Sequence, residues 1–113
     1  MGSLTESAFE QLAEATLRHI EQAIEQLCDS SDLDLDLIRK GNVLEIQCED
    51  GSKIIVNSNA PLQEIWVAAK AGGFHFGRMQ NEWRNARDGS ELFTSLSQLL
   101  SSQAGTPVVL QPA

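Results

Sequence analysis

Residues 32–57 read DLDLDLIRKGNVLEIQCEDGSKIIVN. Leu33, Leu35 and Leu37 alternate with Asp32, Asp34 and Asp36. A period of two is that of a strand with one wet face, and acids on that face suit an exposed sheet edge. A second strand is predicted over Val43 to Cys48, with Leu44, Ile46 and Cys48 on one side. Asp50-Gly51 is a strong two-residue hairpin signal, and Lys53 to Asn57 returns as a third strand. Connections this short require antiparallel pairing.

Upstream the period changes. Ser3-Leu4-Thr5-Glu6 has capping-box form, with Ser3 as the capping hydroxyl. Phe9, Leu12, Ala13, Thr16, Leu17, Ile20, Ala23, Ile24 and Leu27 recur at helical spacing, predicting six or seven turns that end near Cys28 and Asp29. Downstream, Gln63 to Ala69 is a fourth strand, with Ile65, Val67 and Ala69 on one face and Trp66 and Ala68 on the other. Gly72-Gly73 is expected to break it, before two short strands at His75-Phe76 and Glu82-Trp83-Arg84. Ser90 is placed to cap a second helix, whose stripe is Leu92, Phe93, Leu96, Leu99 and Leu100, and Gly105 stops it. Helix, about six strands, helix is an α+β order. Both helices bury their apolar stripes if they lie on one face of an antiparallel sheet, as a two-layer sandwich. The expectation is a single domain over residues 1–113, with 105–113 as a tail whose Val108-Val109-Leu110 lies back over the body. The other sheet face, carrying Trp66, is left to solvent or a partner.

At 113 residues and 42% hydrophobic content, one core forms without disulfide or metal staples. Cys28 and Cys48 are read as two free thiols of a reducing compartment. No apolar run approaches the ~20 residues of a membrane span, and no secretory leader is apparent. The expectation is a soluble, cytoplasmic protein.

The formal net charge is -8. Residues 1–36 hold nine acids against Arg18, and the other 77 hold seven acids and seven bases, so the whole imbalance lies at one end. That argues against nucleic acid as a partner, since phosphate binding relies on Lys and Arg, and favours a basic protein face or a metal ion. On a helix, Glu6, Glu10, Glu14, Glu21 and Glu25 fall within one stripe about 100° wide beside the apolar one. Asp29, Asp32, Asp34 and Asp36 would extend it into a ridge along the first strand. Like charges four residues apart cost about 0.2–0.5 kcal/mol each, and only Arg18 is near enough along the helix to offset them. Carboxylates are hard ligands, so a bound metal would be iron, manganese, magnesium or calcium, held weakly in an open hydrated site. His19 lies on the same helix away from the stripe. No catalytic triad, phosphate loop or dinucleotide fingerprint is present, and the chain is not expected to be an enzyme.

Gly51-Ser52-Lys53-Ile54-Ile55-Val56-Asn57, Pro61, Ile65-Trp66-Val67-Ala68, Lys70-Ala71-Gly72-Gly73-Phe74-His75-Phe76, Glu82-Trp83 and Arg87-Asp88-Gly89 form an ordered series. The series closely resembles the bacterial frataxin (CyaY) family, and the resemblance runs from about Thr5 to the C-terminus. It implies two helices on one face of an antiparallel sheet and weak, reversible binding of iron, as Fe2+ or Fe3+, on the acidic ridge. Glu10, Glu14, Glu21, Glu25, Asp29, Asp32 and Asp34 are the metal candidates. It also implies docking on the cysteine desulfurase and scaffold protein of iron-sulfur cluster assembly, as iron donor or regulator, with Asp36, Asn57 and Trp66 as partner-binding residues. The protein would be mostly monomeric, with iron able to promote oligomers, and without a membrane partner. Gln22, Gln26 and Cys28 stand where close relatives often carry further carboxylates, which thins the ridge. Arg39-Lys40-Gly41-Asn42 is expected to be a slightly long loop. Two alternatives are a weak ferroxidase, though no paired-carboxylate-plus-His motif is present, and a small acidic peptide-binding chaperone, which would be dimeric.

Overall fold

The computed structural model describes residues 4–112. The Ser3 cap lies outside them, and Thr5 caps the first helix instead: its Oγ1 accepts the Ala8 N–H at 3.0 Å. Helix α1 (Glu6–Ser30) is 25 residues long and buries Phe9, Ala13, Thr16, Leu17, Ile20 and Ile24. Six strands follow: β1 (Leu35–Lys40), β2 (Val43–Cys48), β3 (Lys53–Asn59), β4 (Glu64–Ala69), β5 (Gly72–Met79) and β6 (Glu82–Asn85). Helix α2 (Leu92–Ala104) completes the order.

The strands form one antiparallel meander in chain order, β1 to β6. Alternation along them sends Leu44, Ile46, Ile54, Val56, Ile65, Val67, Phe76 and Trp83 into one core with α1 and with Leu92, Phe93, Leu96 and Leu100 of α2. This is the expected two-layer α+β sandwich. Trp83 brings an N–H into that core, and the Thr16 hydroxyl accepts it at 3.0 Å. Phe9 packs edge-on against the same indole at 5.9 Å between centroids. Val108 and Leu110 are buried in the core as well. Their segment is tied down by backbone bonds to α2 serines: Val108 N–H to Ser101 Oγ and Leu110 N–H to Ser97 Oγ, both at 2.8 Å.

Four local expectations need correction. The first strand starts at Leu35, not Leu33, because β2 ends at Cys48, the partner of Leu35, and leaves Leu33 and Asp34 nothing to pair with. Ser31 Oγ takes the Leu33 N–H at 3.3 Å instead, so Asp32 and Asp34 precede the strand and only Asp36 lies on it. Gly72-Gly73 opens β5 rather than serving as the break after β4, since Lys70 and Ala71 alone make the turn and Ala69 pairs with Gly72. Glu91, not Ser90, caps α2, its carboxylate accepting the N–H groups of Phe93 at 2.8 Å and Thr94 at 3.1 Å. Arg39 and Lys40 are the last residues of β1 rather than loop residues, so the turn shrinks to Gly41 and Asn42, with Gly41 at φ 57°.

Candidate functional site

The acidic flank of α1 lies over β1, the edge strand that pairs only with β2. Along β1, Leu35 and Leu37 turn toward the helix, and the same period turns Arg39 that way. Glu14 and Glu21 stand two helical turns apart on the flank above it. Arg39 joins them: Nη1 donates to Glu21 Oε1 at 2.6 Å, Nη2 donates to Glu14 Oε1, and Nε donates to the Gly41 carbonyl at 2.7 Å. Arg18 reaches the other Glu14 oxygen at 3.3 Å. The Arg39 side chain is only 18% exposed and Glu21 24%. The offsetting bases are therefore two, not Arg18 alone as the helix by itself suggests. A spacing argument along one helix does not find a partner that arrives from a strand.

Around this ion pair the carboxylates of the flank separate into three places. Glu10 and Glu14 face the β1–β2 turn across a shallow depression with Leu17, Gly41, Asn42 and Ser58. Glu25, Cys28 and Asp29 line a groove against Leu35, Asp36 and Leu37 of β1. Asp32 and Asp34 lie beyond the end of α1, sharing a cleft with Glu49 and with Thr106 and Pro107 after α2. Among the described residues, Glu10, Glu25, Asp29, Asp32, Asp34 and Asp36 form no salt bridge. Nor are three or more His, Cys, Asp or Glu side chains gathered, among the described residues, in a group that could hold a metal ion. The donor set suits a hard cation, and the spacing limits each ion to one or two carboxylates with water completing its shell. Cys28 is half-buried, with its thiol 3.9 Å from the Leu35 carbonyl. His19 faces the C-terminal segment: its Nε2 is 2.8 Å from the Gln111 carbonyl, and its ring meets Phe93 edge-on at 5.5 Å.

The second region is the sheet face turned away from the helices. Asn57, Trp66 and His75 form one row across β3, β4 and β5. The Trp66 and His75 rings stack at 4.5 Å with 7° between planes. Trp66 Nε1 donates to Glu64 Oε1 at 2.8 Å, and His75 Nδ1 lies 3.6 Å from that same oxygen. Glu64 and His75 hold the Trp66 ring in place, and the sequence reading did not single them out. Counting outward from a two-residue turn at Lys70-Ala71 would have paired 66 with 75, and reading Gly72-Gly73 as a breaker hid that register.

The chain matches the frataxin-like domain family model over residues 2–106. It is 60% identical over 111 residues to the iron-sulfur cluster assembly protein CyaY of Janthinobacterium sp. (strain Marseille), covering 97% of this chain and 99% of that one. The protein of the same description from Cupriavidus metallidurans is 51% identical, covering 98% and 100%. Among solved structures, the frataxin of Psychromonas ingrahamii superposes with a TM-score of 0.86 at 30% identity, over 96% of this chain and 100% of that chain. A trimeric yeast frataxin complexed with ferrous iron shares the fold, with a TM-score of 0.72 at 20% identity over 94% and 91%. With a family model matching nearly end to end, full-length relatives above half identity and the same helix-capped six-stranded meander, the chain belongs to the frataxin family.

Proposed function

We propose that this protein serves iron-sulfur cluster assembly as an iron-binding regulator or iron donor without chemistry of its own, acting by docking on the cysteine desulfurase and scaffold complex. The observation that carries the reading is similarity, over almost the full length of both chains, to proteins described as iron-sulfur cluster assembly proteins. The acidic pole made by Glu25, Asp29, Asp32, Asp34 and Asp36 supports it. These exposed carboxylates attract a basic protein face over a Debye length and offer hydrated contacts to iron as a cargo. Trp66, partly exposed and held flat by His75, suits a contact anchor on the neighbouring face. No helix among the described residues is long and apolar enough to cross a membrane.

Charge reversal tests the reading. The triple variant Glu25→Lys, Asp29→Lys, Asp32→Lys is expected to bind a purified desulfurase–scaffold complex at least about tenfold more weakly at low salt, with its melting temperature kept. Unchanged affinity overturns the docking role of the pole.

A further inference from the structure

Arg39 occupies the middle of the acidic flank. It is not a surface base that happens to be close. It extends from the inner face of an edge strand, is mostly shielded from solvent, and spends three donors on three different acceptors: Glu14, Glu21 and the Gly41 carbonyl. The Glu14–Glu21 pair thus already holds a cation, delivered by the chain itself. A metal ion or a partner's lysine entering there would have to displace a guanidinium fixed at both ends and by its own turn, whereas nothing among the described residues competes for Glu25, Asp29 or Asp36.

We propose that Arg39 is a built-in counter-ion that closes the Glu14–Glu21 stretch of the flank to external cations and leaves to them only carboxylates that have no partner within the chain's described residues. This rests on the reading of the flank as a cation-binding surface and adds where on it binding is permitted. The guanidinium suits the task because its planar fork engages two carboxylates at once, which a lysine ammonium does less well. Lys40, the next residue, is exposed and points to the opposite sheet face. It carries the same charge without the contacts.

The test is paramagnetic broadening of backbone amide signals by substoichiometric Mn2+ in wild type, Arg39→Gln, Arg39→Lys and Lys40→Gln. Arg39→Gln and Lys40→Gln change the net charge equally, so they separate the specific contact from bulk charge. In Arg39→Gln a new centre of signal loss is expected at residues 14–18, absent in wild type and in Lys40→Gln, with Arg39→Lys intermediate. A separate centre of signal loss at residues 14–18 in wild type, or identical patterns in Arg39→Gln and Lys40→Gln, overturns the assignment. If Arg39→Gln loses the dispersed spectrum of the folded chain, Arg39→Lys against Lys40→Gln decides in the same way. Wild type with no Mn2+ response around residues 25–36 would count against the cation-binding reading itself, while the Arg39→Gln difference would still decide the role of Arg39.

Discussion

Thr16 is the residue on which the two layers agree. Its hydroxyl donates to the Leu12 carbonyl at 2.8 Å, one turn back in α1, and accepts the Trp83 indole N–H at 3.0 Å from the far end of the sheet. Valine has nearly the same shape and no acceptor, so Thr16→Val leaves a buried N–H without its partner. Such a loss costs about 1–3 kcal/mol, and chemical denaturation should show a stability lower by that amount. Thr16→Ser keeps the oxygen and should stay closer to wild type. Equal stability of the Val variant and wild type would mean that the hydrogen bond contributes nothing net. At this scale the sequence was legible where one element decides the outcome: Thr16 fell on the apolar stripe of α1 by spacing alone. Arg39 was not legible, because its partners lie 18 and 25 residues away on another element. Trp66, placed on the open face by strand alternation, and Asn57, named from family likeness, turn out to be register partners.

Among the elements, the β2–β3 hairpin shows how turn chemistry sets acid stability. Asp50 Oδ1 accepts the Ser52 hydroxyl at 2.6 Å and the Ser52 N–H at 2.9 Å, and Lys70 lies 3.4 Å from the other oxygen. The Ser52 hydroxyl, then its amide, hold the Asp50 carboxyl down from 3.8 to about 2. A lowered carboxyl pKa means that the unfolded chain takes up the proton first as pH falls. The stabilisation is therefore complete above the ordinary value and is lost as pH drops from 3.8 toward 2. Asp50→Asn keeps an acceptor for Ser52 but does not titrate, so its melting temperature should fall less steeply than wild type across that window. Parallel acid limbs would contradict this. Asp88 is lowered in the same direction by the Ser90 hydroxyl, in a second turn of the same form. Elements were read well where a turn residue announces itself, as at Asp50-Gly51. They were read less well where the partner strand sets the boundary: the Asp-Leu alternation runs on through Leu33, but pairing stops at Leu35. The α2 cap shows the same limit, since residue type favours Ser90 and the backbone geometry puts Glu91 at the cap instead.

For the whole molecule, the net charge of -8 remains a source of self-repulsion at one pole even after Arg39 and Arg18 are paired. Raising NaCl from about 0.01 M to about 0.1 M shortens the Debye length from about 30 Å to about 10 Å. Repulsion among the exposed acids is screened more than the shielded Arg39 contacts. The melting temperature should therefore rise by roughly 2–4 °C, and a fall would show that the surface ion pairs outweigh the repulsion. The strict chain-order meander also bears on how the fold is reached. Every strand finds its partner in the next one along, so each pairing closes a short loop and the sheet can zip hairpin by hairpin at little entropic cost. The contact between Thr16 and Trp83 spans 67 residues and closes only when β6 is in place. The first helix can make its full set of contacts only after the last strand has formed, so the hydrogen bond that ties it to the far edge of the sheet belongs to the completed fold and not to any hairpin within it.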